Sequence, residues 1–60
     1  MKEHIGAIVK LHIDRNGSDL FYTAKVLTVT DTHISFIDKY KIPYTYRLQD
    51  VVSINGDKCG

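Results

Sequence analysis

The sequence is short of most of what small proteins use to hold themselves together. Its 60 residues contain one cysteine, Cys59, so no disulfide can form within the chain. A lone thiol beside the C-terminus fits a reducing compartment better than an oxidising one, and its simplest role is an exposed tail residue. There is no tryptophan, one proline and one methionine. Charge of one sign is also missing: eight basic and seven acidic side chains leave a net charge of +1, and the two signs are interspersed. Bulk electrostatic attraction to nucleic acid is thereby excluded, and any such binding must come from a local patch. No apolar run approaches the ~20 residues of a membrane-spanning helix. The opening Met1-Lys2-Glu3-His4 lacks the apolar stretch of a signal peptide, so the expected location is the cytoplasm.

What is present is strand chemistry. Over residues 5–13, Ile5, Ala7, Val9, Leu11 and Ile13 alternate with Gly6, Ile8, Lys10 and His12, the period-two pattern of a half-buried strand. Asn16-Gly17 within a polar cluster is a turn signal, because both residues tolerate positive φ. Residues 20–30 are rich in β-branched and aromatic types, and their apolar parity changes between Val26 and Leu27. Such a change predicts a bulge or sharp bend, the device by which a strand turns a corner. After Asp31-Thr32, residues 33–37 read as a third strand with Ile34 and Phe36 inward. Residues 38–41 form a connection, and Pro43 belongs at a strand start or edge because it cannot donate to a ladder. Tyr44, Tyr46 and Leu48 alternate as a fourth strand, and residues 51–54 form a short fifth. Asn55-Gly56 ends it, and residues 57–60 read as a tail. Helical periodicity is absent, with room for at most one helical turn, at residues 1–4 or at Gln49-Asp50. The expectation is one all-β domain spanning residues 1–60, ordered over 4–56, as a strongly bent, closed five-stranded antiparallel barrel. A chain of this size has a thin core, so self-association is a natural support.

Catalytic chemistry is not expected. No Gly-x-Ser-x-Gly elbow occurs, and the one thiol sits where it cannot hold geometry against a base. His12 and Asp14 share a strand face, and His4 or His33 could join them. Zinc-ligand spacings are nevertheless absent, so neither a metal nor another cofactor is expected. Gly17 is an isolated turn glycine with no helix behind it to bind a phosphate. No small-molecule substrate is implied. The residue types that remain suit single-stranded nucleic acid, which is held by rings for stacking and cations for phosphates. His33 flanks the turn after the second strand, Lys39, Tyr40 and Lys41 interleave two cations with a ring, and Arg47 points away from the core-facing Tyr46 and Leu48.

One stretch carries a family pattern. Leu27, Thr28-Val29-Thr30, Asp31, Thr32-His33, Ile34, Ser35 and Phe36 follow the spacing of the Sm1 motif, and the chain over residues 5–56 resembles the Sm-like family, which includes bacterial Hfq. Ser35 stands where the family usually has Asn, and Lys25 where it usually has Gly. The Arg-Gly or Lys-His signature of the last strands is absent. Residues 47–51 also resemble the C-terminal barrel of a ribosome maturation factor. The resemblance implies an Sm-like, SH3-like barrel that assembles as a homo-oligomeric ring, the fourth strand of one copy pairing with the fifth of the next. It further implies binding of U- or A-rich single-stranded RNA, with Asp31 and His33 at a base pocket and Arg47 or Gln49 on the neighbouring loop. Two other readings stay open: an SH3-like protein-interaction module that adds a strand or docks a peptide on its tyrosines, and a small DNA-binding barrel. Light scattering separates the first of these from a ring.

Overall fold

The computed structural model describes residues 2–58; Cys59, read above as a tail thiol, lies outside the described residues. Six strands form one antiparallel sheet: β1 (Ile8–Arg15), β2 (Ser18–Val29), β3 (His33–Asp38), β4 (Pro43–Arg47), β5 (Val51–Ile54) and β6 (Asp57–Lys58). Their spatial order is β4-β3-β2-β1-β5-β6. Single 3-10 turns stand at both Lys2–His4 and Leu48–Asp50, where the sequence suggested at most one of the two.

The sheet is curled by its own connectivity. Lying flat, β4 and β5 would stand four strand spacings apart, about 19 Å. They are joined by the three residues Leu48–Asp50, which advance only about 6 Å as a 3-10 turn. The two flanks must therefore bend toward each other. They do not pair, however, so the sheet is six-stranded and open where the sequence suggested a closed five-stranded barrel. β5 carries β6 on part of its outer side instead, through Ser53↔Lys58 and Ile54↔Asp57.

The bend is concentrated in β2. Val26 pairs with Phe36 but Thr28 with Ser35, so Leu27 is the extra residue of a bulge and lies partly exposed. The parity change in the sequence falls at this point. One face of the curl buries Val9, Leu11 and Ile13 of β1, Ala24, Val26 and Val29 of β2, Ile34 and Phe36 of β3, Tyr46 of β4, and Val51 and Ile54 of β5. Full burial of each large side chain is worth roughly 1.5–3 kcal/mol, the main stabilising term in a chain without cross-links. β1 starts later than the alternation suggests. Gly6 adopts φ +86°, donates its N–H to the Val26 carbonyl (2.8 Å) and turns the chain, so Ile5 and Ala7 stay exposed instead of joining the inner face.

Candidate nucleic-acid interface

The seven residues singled out from the sequence fall into two groups, one at each end of β3. Asp31, His33, Arg47 and Gln49 lie at one end, and Lys39, Tyr40 and Lys41 at the other. The six-residue β3 separates the ends by roughly 17 Å.

The first end is built by the turn between β2 and β3. Thr30 Oγ1 accepts hydrogen bonds from the N–H groups of Thr32 (3.3 Å) and His33 (3.0 Å), and the Thr30 N–H donates to the His33 carbonyl (2.8 Å). The Leu48 N–H donates to the Thr32 carbonyl (2.8 Å), which ties the 3-10 turn before β5 to the same corner. A 2.7 Å hydrogen bond joins Thr32 Oγ1 and His33 Nδ1 and restrains the imidazole, leaving Nε2 for solvent or a ligand. His33 stands directly across the ladder from Arg47. Arg15, from the far end of β1, is carried by the curl to Tyr46, with its guanidinium carbon 5.8 Å from the ring centroid. These groups, with Thr45 and Asp50, line a polar hollow of about 230 Å³. Neither guanidinium makes an ion pair among the described residues. Asp31 is exposed on the turn, and Gln49 is exposed beside the half-buried Asp50. Two cations, a held imidazole and an aromatic edge can together receive a phosphate and a stacked base.

Arg15 was not among the sequence candidates. Nothing in its own neighbourhood marks it, because its place in the hollow depends on how far the sheet curls.

The second end is chemically different. Asp38 Oδ1 accepts from the N–H groups of Tyr40 (2.8 Å) and Ile42 (2.9 Å), and its own N–H donates to the Ile42 carbonyl (3.1 Å). Lys41 completes this three-residue hairpin loop at φ 67°, a position that glycine normally fills. Lys39 Nζ lies 5.2 Å from the centroid of the Tyr40 ring. Inward of the loop is a wider groove of about 640 Å³ whose walls include Phe21, Tyr22, Tyr40, Ile42 and Tyr44. Tyr22 packs 5.0 Å from Tyr44 and 5.1 Å from Phe36, and its hydroxyl bonds that of Tyr46 at 2.7 Å. Burial, and then this hydroxyl pair, hold the Tyr22 hydroxyl well above the ordinary tyrosine range. Partial burial, and then the Asp38 charge, raise Tyr44 as well.

No three histidine, cysteine or acidic side chains among the described residues are grouped closely enough to hold a metal. No helix among them is long and apolar enough to cross a membrane. Compared against protein-family models, curated proteins and solved structures, the chain shows no match.

Proposed function

We propose that this chain is a non-catalytic, Sm-like domain that binds single-stranded RNA at the corner carrying His33 and Arg47. The observation that carries the reading is the cross-strand pair His33–Arg47, joined by Arg15 at one polar hollow. The strand spacing around Asp31 supports it from the sequence side, and the bent β2 and the strand order support the Sm-like barrel as the parent architecture. Phosphates meet the two guanidiniums, a base stacks on His33, and Asp31 and Gln49 lie within the same corner for base edges. In this reading Lys39, Tyr40 and Lys41 do not contact the same nucleotide, because they stand at the far end of β3.

A ring formed by pairing β4 of one copy with β5 of the next belongs to the same proposal. The outer side of β4 has no strand partner among the described residues, and β6 leaves Val51 and Val52 of β5 open. A ring therefore joins at Val51–Val52 or displaces the two residues of β6. The experiment is a titration with short oligo-U and oligo-A at ~50 and ~200 mM salt, run with light scattering of the free protein. Binding at low salt that weakens steeply at high salt supports the RNA reading, and its absence at ~50 mM ends it. A monomer in scattering removes the ring and leaves the corner to stand alone.

A further inference from the structure

The groove at the other end of the molecule lies beside an unfinished strand edge. Strand β3 stops at Asp38, the partner of Ala24, while β2 begins six residues earlier, at Ser18. Arg15 and Ser18 flank the two-residue turn Asn16-Gly17, whose residues have φ 53° and 81°. In such hairpins the flanking pair exchanges both ladder bonds, so the alternation along β2 aims the N–H and C=O of Asp19 and Phe21 away from β1. No backbone group among the described residues pairs with them there. Phe21 is 73% exposed and Tyr40 71% exposed, and Ile42 is about half exposed. Three large apolar side chains thus stand in water beside free backbone donors and acceptors.

The acidic side chains nearby are already engaged. Asp38 is held by two backbone N–H groups of its own loop, and Asp19 pairs with His12 at 2.9 Å. The Tyr22 hydroxyl is taken by Tyr46. Lys10 and Lys39 line the groove without an acidic partner among the described residues. A peptide strand needs free backbone groups, apolar holes at alternate positions and, here, negative flanks.

We infer that this groove docks an extended segment of a partner protein, with apolar side chains at alternate positions and Asp or Glu at its ends. The segment adds a short strand to β2 at Asp19 and Phe21. One set of its side chains packs against Phe21, Tyr40 and Ile42, and its acidic ends meet Lys10 and Lys39. The site is independent of the RNA-binding corner, so either can fail without the other.

The test is a selection of displayed random peptides on the native chain, counter-selected on Phe21→Ser, with winners synthesised and titrated into isotope-labelled protein. Phe21 is exposed, and the folded state of the variant is checked by its amide spectrum. Enriched peptides are expected to carry apolar residues at alternate positions with acidic flanks. They should shift the amides of Asp19, Phe21 and Tyr40, slow hydrogen exchange at Asp19 and Phe21, and bind Phe21→Ser and Lys39→Glu at least fivefold more weakly. The inference is overturned if nothing is enriched over the variant, or if winners map outside the groove. It is overturned too if their flanks are basic, or if oligo-U shifts these amides and the peptides do not.

Discussion

The two ends of β3 are made from the same hairpin and do opposite things with charge. At the Asp38 end the carboxylate turns inward on its own loop and accepts two backbone N–H groups, which leaves rings and aliphatic carbon to face the groove. At the His33 end the turn is closed by neutral threonine hydroxyls, and Arg15 and Arg47 share their hollow with Asp50 without an ion pair to either guanidinium among the described residues. The corner sets Arg15 and Arg47 beside Asp31 and Asp50, so its formal charge is as balanced as that of the whole chain, and what it offers a phosphate is two guanidiniums with no ion-pair partner among the described residues. What matters for recognition is which charged groups the backbone consumes and which keep their hydrogen-bonding capacity free.

The strongest way to break the comparison is to remove the ring that both ends rest on. Phe36 is fully buried and packs on Tyr22, Tyr44 and Tyr46. Phe36→Ala should cost roughly 3–5 kcal/mol and unfold a domain this small, with both sites lost together in urea melts followed by circular dichroism. Arg47→Ala probes one end alone. It should weaken oligo-U binding by about tenfold, or ~1.4 kcal/mol, and flatten the salt dependence by about one phosphate, while Lys41→Ala stays within about twofold. The reverse ranking would move the RNA site to the groove end.

Tyr22→Phe removes half of the hydroxyl pair with Tyr46 and should cost about 1 kcal/mol at neutral pH. It also has a pH signature. The folded chain holds the Tyr22 proton more tightly than the unfolded chain, so that stabilisation is complete below a pH of about 10 and is lost as the pH climbs toward the raised native value. Stability of the native chain should fall above about pH 10 more steeply than that of Tyr22→Phe, measured by urea melts across the alkaline range. The smallest effect is a gain. Lys41 occupies the left-handed region, so Lys41→Gly should stabilise by about 0.5–1 kcal/mol in the same melts, with the RNA corner unaffected.

Much of this architecture is legible in the residues, and the failures are of two kinds. Alternation at Val9, Leu11 and Ile13, and the parity change at Leu27, are local signals, and local geometry decides them. Asn16-Gly17 and Asn55-Gly56 are the same dipeptide in the same positive-φ turn, at 53° and 81° and at 53° and 85°. The sequence shows the first as a turn between two strands and the second only as a strand end, because the strand after it, Asp57–Lys58, is two polar residues with no apolar pattern to reveal it. That unread strand is also what occupies the edge of β5. The division of the candidate site was hidden for a different reason. Lys39 and Lys41 are near Arg47 in sequence, but the loop of a hairpin lies a full strand away from its base. Arg15 is distant in sequence and close in space, since curl is a property of the whole sheet.

The most direct test of the RNA-binding corner is an amide-resolved titration of the isotope-labelled chain with short oligo-U at ~50 mM salt. The account predicts shifts centred on Asp31, His33, Arg47 and Gln49, extending to Arg15 across the curl, with Lys39 to Ile42 unmoved. Shifts confined to Lys39, Tyr40 and the groove, or no shifts at all, would contradict it.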